Sequence, residues 1–181
     1  MAEIINSPAE LEQWLRQQGV DPGRWPKSVA HLWAEIAAGE SQLQANPPLR
    51  LVQVVQIIIR CGHKQLIEVQ QQFDDETTRQ RVTPLAEKIK GGEDYLVAAG
   101  RGLAEELGLT PDQYQLLPHT YHQKIVQSDS PSFPGLPTCY TIHLVEAHAP
   151  TLPATDFCTA EGATDDPVSQ HFWAWKEQKE L

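Results

Sequence analysis

The stretch Asp94-Tyr95-Leu96-Val97-Ala98-Ala99-Gly100-Arg101-Gly102-Leu103-Ala104-Glu105-Glu106-Leu107-Gly108-Leu109 decides how the chain is read. Asp94 is a fair N-cap, Leu96, Ala99, Leu103 and Leu107 recur at helical spacing, and Gly108 is a natural stop. A helix turns about 100° per residue, so positions 102, 105 and 106 share a face and the carboxylates of Glu105 and Glu106 project toward neighbouring points. Adjacent carboxylates repel unless water or a cation neutralises them, and a solvated acidic face is the plain alternative. Gly100 and Gly102 lie inside the helix, where each costs about 1 kcal/mol against alanine. Gly100 offers close packing on a sheet. Gly102 leaves room for a ligand or for a side chain reaching in from the preceding loop.

Outward from this helix the chain changes period. Leu49 to Arg60 carries Val52, Val54, Val55, Ile57, Ile58 and Ile59, too densely apolar for a one-sided strand, and reads as a strand buried on both faces. Cys61-Gly62-His63 turns the chain into a second strand, Lys64 to Phe73, making a hairpin. Arg79 to Pro84 reads as a short strand, and further strands fall near Tyr121–Gln127, Thr138–Ala147 and His171–Trp175. Loops rich in Pro, Ser, Thr or Gly separate them, at 128–137 and 149–167. Upstream, Ser7-Pro8-Ala9-Glu10 is a capping box, followed by Leu11, Trp14 and Leu15 at helical spacing and a stop at Gly19. Ser28 caps a second helix with Val29, Leu32, Trp33 and Ile36 on its apolar face. Trp14, Trp25 and Trp33 read as packing residues. The order helices, hairpin, helix, strands predicts an α/β (α+β) domain with a mixed sheet and helices packed on it.

The stretch from Ala86 through Leu109 resembles the Nudix box, G-x5-E-x7-R-E-U-x-E-E-x-G-U, with U a bulky aliphatic. Glu93, Arg101, Leu103, Glu105, Glu106, Gly108 and Leu109 fill seven of its nine defined positions. The resemblance implies a Nudix-like α/β/α sandwich over about Leu49 to Trp175, so the chain divides into an N-terminal helical appendage, 1–46, and a Nudix-like domain, 47–181. It also implies that Glu93 and Arg101 are a structural ion pair bracing the loop against the helix. A hard cation that takes oxygen ligands, Mg²⁺ or Mn²⁺, is the natural neutraliser of Glu105 and Glu106. It would join them to a diphosphate-containing small molecule and activate water for attack on phosphorus. The implied activity is pyrophosphohydrolysis of a nucleoside diphosphate linked to another moiety.

Two positions depart from the box. Its first glycine is Glu87, and the glutamate after the arginine is Gly102. In the family that glutamate usually holds metal or helps activate water. Glu87 is the candidate to replace it from a shifted position, which sets Glu105, Glu106 and Glu87 as the catalytic set. If nothing replaces it, the chain is a catalytically impaired Nudix-fold module that binds a ligand or a protein. Lys88 and Arg81 are candidates to meet the ligand, with Lys90 and Arg79 behind them. Glu146, Glu161, Asp165 and Asp166 are candidates for a further metal ligand from outside the box. The remaining histidines, His171 among them, make no recognisable set. Phe133, in the proline-rich loop, either stacks on a base or belongs to a rigid connection.

Composition bounds the rest. The 181 residues carry 24 Asp and Glu against 14 Lys and Arg, a net charge of −10. That argues against nonspecific binding to nucleic acid polymers, which needs a basic surface, and against docking on an anionic membrane. Cys61, Cys139 and Cys158 match neither a zinc spacing nor a disulfide framework, and the N-terminal residues show no signal peptide, so a cytoplasmic setting is the expectation. The Trp-bearing helices either cover the sheet within one chain or form a homodimer.

Overall fold

A computed structural model describes residues 5–163 and 167–177, so Asp165 and Asp166 lie outside the described residues. The described residues form an α+β fold, a mixed sheet with three α-helices. In chain order these are α1 (Pro8–Gln17), α2 (Val29–Ala37), β1 (Gln42–Gln44), β2 (Leu49–Cys61), β3 (Lys64–Phe73), β4 (Thr78–Thr83), β5 (Leu85–Lys88), α3 (Tyr95–Leu107), β6 (Gln115–Asp129), β7 (Pro137–His148), β8 (Phe157–Ala160) and β9 (Val168–Glu177). No described helix is long and apolar enough to cross a membrane. The chain forms two compact units, and β2, β5, β6 and β7 contribute residues to both.

The first unit comprises Met1–Val54, Lys88–Glu93 and Gln123–Ile142. Its core is built from the two N-terminal helices and the loop after β6: Leu11, Trp14, Leu15, Val20, Leu32, Phe133 and Leu136 are buried together, with Trp25 and Trp33 packed against them. Ser7 caps α1 by accepting the Glu10 N–H, but the Glu10 carboxylate returns to the Asn6 N–H, one residue earlier than a capping box places it. Phe133 is fully buried, edge-on to Trp25 at 5.0 Å and beneath the Arg50 guanidinium, so it has no face to offer a base. The loop's prolines make it a wall of this core, and Trp25 Nε1 donates to the Pro134 carbonyl.

Buried Arg50 pairs with buried Glu35, and Ser41 bridges them, donating to Glu35 and accepting from Arg50 Nε. Burial alone would raise the Glu35 pKa, but Lys88 and Arg50 hold it below the usual carboxylate value. At the end of α2, Gly39 meets Gly91 backbone to backbone: a Cβ on Gly39 would fall 2.6 Å from Gly91 N.

The second unit comprises Val55–Glu87, Asp94–His122 and His143–Leu181. Val55, Ile57, Ile58 and Ile59 of β2 are all buried, as a run without alternation requires. The hairpin turns at Gly62, φ +60°, and pairs Arg60 with Gln65. β3 then runs antiparallel to β9 on one side and to β4 on the other, and β8 pairs with the far side of β9. The β3 register slips between Glu68 and Gln70 against both neighbours, so the inward positions run Leu66, Glu68, then Gln71.

The hairpin, the strand at 79–84 and the central helix follow the sequence reading closely. Three short strands do not: β1, β5 and β8 lie where it has connections. Glu87 therefore stands on a strand rather than in a loop.

Candidate functional site

Asp94 caps α3 by accepting the Leu96 N–H at 2.8 Å, and Gly108, φ +66°, ends it. The face turned inward carries Ala98, Ala99, Gly102, Leu103, Glu106 and Leu107. The two acids of the pair part company there. Glu105 is half-buried, its carboxylate 3.8 Å from Arg101 Nη1. Glu106 is buried.

The carboxylate of Glu106 meets a cluster assembled from the sheet. Glu68 from β3 and His171 from β9 are both fully buried, and one ligand atom of each lies within 4.8 Å of one from Glu106 and of each other. His171 Nδ1 is 2.6 Å from Glu68 Oε1, and His171 Nε2 is 2.8 Å from Glu161 Oε2. Arg81 Nε on β4 reaches Glu68 Oε2 at 2.7 Å. The imidazole also stacks on Trp173, whose Nε1 donates to Thr159, and the Thr159 hydroxyl donates to the Glu106 carbonyl. The Gly162 N–H donates to the Glu105 carbonyl at 2.8 Å. The last carbonyls of α3, which a helix leaves unpaired, are thus held by the stretch that delivers Glu161.

Glu106 is the poorly compensated member. Its nearest cationic atom is His171 Nδ1 at 3.7 Å, and no donor among the described residues hydrogen-bonds its carboxylate. Burial pushes its pKa well above the ordinary value, and the charges of Glu68, Glu87 and Glu161 push it further, with Arg81 offsetting part. For His171, burial lowers the pKa, but the carboxylates of Glu68 and Glu161 outweigh it and the net shift is upward. A buried carboxylate surrounded by like charge is what a divalent cation would neutralise. The oxygens of Glu68 and Glu106 suit Mg²⁺ or Mn²⁺, and the His171 nitrogen is more at home on Mn²⁺.

Of the residues the sequence singled out, Glu106, Arg81 and Glu161 come together here, and Glu87 pairs with Arg101 beside them. Glu146 pairs with Arg60 instead, and Arg79 with Gln71. Lys88 belongs to the first unit, 2.9 Å from Glu35 and 3.0 Å from Glu40. Lys90 lines a polar cavity of about 160 Å³ in that same unit, with Glu40, Gln53 and Thr141. The Glu93 carboxylate accepts the Lys90 N–H and closes the turn before α3.

His171 corrects the sequence reading, which left it without a role. Glu68 carries no motif that marks it in the sequence. The available signal was a lone acid at an inward position of an apolar strand, between Ile67 and Val69 and two residues after Leu66.

No family model matches the chain, and no curated protein does. Solved structures do match. A C. elegans Ap4A hydrolase in a binary complex is 18% identical, with 69% of this chain and 79% of that one covered and a TM-score of 0.39. A further C. elegans Ap4A hydrolase structure is 21% identical, covering 70% and 80%, with a TM-score of 0.40. A NUDIX hydrolase from Nitrosomonas europaea is 17% identical, covering 67% and 70%, with a TM-score of 0.41. At this identity and structural overlap these are distant likenesses, and the reading of the site rests on the chain's own residues.

Proposed function

We propose that this chain is a Mg²⁺- or Mn²⁺-dependent hydrolase that cleaves the diphosphate of a nucleoside diphosphate linked to another moiety. One observation carries the reading: Glu106, the box acid on the inner face of α3, is buried without a hydrogen-bond donor among the described residues, beside Glu68 and His171. Glu106 and Glu68 would hold the cation, with Glu105 as the second box carboxylate at the more exposed edge. A bound cation supplies neutralisation of the charge that grows on the phosphate oxygens as water attacks. The chain's own groups set that geometry. Arg81 and His171 fix Glu68 from two sides, and Glu161 fixes the other edge of the imidazole.

The test is a panel of nucleoside diphosphate derivatives with Mg²⁺ or Mn²⁺, following release of phosphate products. Metal-dependent turnover that Glu106→Gln removes supports the reading. No turnover on any member, with a ligand that still raises the melting temperature, supports the second reading, a binding module. Gly102, in the place of a box carboxylate, is the observation that favours that alternative.

A further inference from the structure

The place that the box resemblance gives to a glutamate is held by Gly102, and the space beside it is filled. A Cβ built on Gly102 would stand 3.0 Å from Leu85 Cδ2 and 3.1 Å from Glu87 Cβ, with Glu87 Cγ at 3.5 Å. Leu85 and Glu87, two apart on β5, share a strand face, and that face occupies the volume a side chain on α3 would take. The Glu87 carboxylate is held in turn by Arg101, one residue before the glycine.

We infer that Glu87 and Gly102 have exchanged roles: β5 delivers the carboxylate that α3 lacks, and α3 gives up its side chain to admit it. This rests on the cation-dependent reading above for the purpose of the carboxylate, but the steric exchange stands on contacts alone. Both departures from the box then have one cause. Neither position returns to the pattern singly. A side chain on residue 102 presses on Leu85 and on Glu87, and loss of Glu87 leaves a gap in the wall and removes a carboxylate.

A set of variants tests this with thermal melts and Mg²⁺ titration. Glu87→Gln keeps the shape and an acceptor for Arg101 but not the charge. A purely structural role predicts an unchanged Mg²⁺ response, whereas the exchange predicts that the half-saturating concentration rises roughly tenfold. Gly102→Glu lowers the melting temperature, and Glu87→Gly with Gly102→Glu recovers most of that loss together with the Mg²⁺ response. The milder pair guards against a variant that does not fold. Gly102→Ala, ordinarily stabilising inside a helix, lowers the melting temperature in the parent and lowers it less, or raises it, in a Glu87→Gly background, where only the end of Leu85 must give way. Additive effects in either pair, or an unchanged Mg²⁺ midpoint in Glu87→Gln, overturn the inference. If the parent itself shows no Mg²⁺ response, the cation-dependent reading fails, and the Gly102→Ala pair still decides the exchange.

Discussion

His171 Nδ1 stands 2.6 Å from Glu68 Oε1, with both side chains fully buried on paired strands. They are not directly opposite. Glu68 faces Trp173 in the register and His171 faces Gln71, and the slip after Glu68 brings the imidazole over the carboxylate. Since Nε2 meets Glu161 as well, the ring is a bridge between two acids, and holding a proton on each nitrogen satisfies both.

That bridge sets a pH dependence. The folded-state pKa of His171 is raised, so its contribution is complete below its unfolded value of about 6.5 and is lost as pH rises through the folded value. Glu106, also raised, has the same sign: its neutral form suits the fold, and stability declines as pH rises through its elevated pKa. Glu35, whose pKa is lowered, contributes fully above its unfolded value and is constant in this window. Urea unfolding in EDTA should therefore give a stability that falls as pH rises above about 6.5. A flat or rising profile would show that the cluster does not hold these protons.

Removing the bridge leaves buried acids facing each other. His171→Phe should cost about 3–5 kcal/mol by urea unfolding at pH 7, because Glu161 keeps only the Ala163 N–H and Glu68 keeps only Arg81. A loss under about 1 kcal/mol would mean that the acids find other partners at little cost.

In the first unit the loop ring is structural. Phe133→Ala should cost about 3–5 kcal/mol, the usual range for emptying a fully buried aromatic site. An unchanged denaturation midpoint would return Phe133 to the pool of ligand-facing residues.

Two glycines of positive φ separate strain from contact. Gly19, φ +79°, has nothing near an added Cβ, and Gly19→Ala should cost about 1 kcal/mol from backbone strain alone. Gly39, φ +74°, adds the collision with Gly91, so Gly39→Ala should cost clearly more in the same melts. Equal losses would mean that the backbones of residues 39 and 91 separate freely.

The sequence made long, strongly patterned elements readable. The run Ile57-Ile58-Ile59 marks a two-faced strand, and Asp94 and Gly108 bracket α3 because caps are local chemistry. Strands of three or four residues, such as Gln42–Gln44, are too short to show a period, and their pairing is decided by distant chain. The site divides in the same way. Glu105 and Glu106 are visible because the helix lies within one stretch of sequence. Glu68 and His171 are 103 residues apart and meet only through the β3–β9 register, which one slipped residue redirects. Likewise, the space at Gly102 suggests a visitor, but only the position of β5 identifies Glu87 as filling it.

The most direct measurement is a Mg²⁺ titration of melting temperature at pH 8, on the parent and on Glu106→Gln. The parent should gain stability saturably, by about 2.7 kcal/mol when the ion reaches a hundred times its dissociation constant. Glu106→Gln, relieved of a repelled charge, should melt at or above the parent in EDTA and show no response to Mg²⁺. A parent that ignores Mg²⁺, or a variant that responds as the parent does, would contradict the cation site on which the proposed hydrolysis depends.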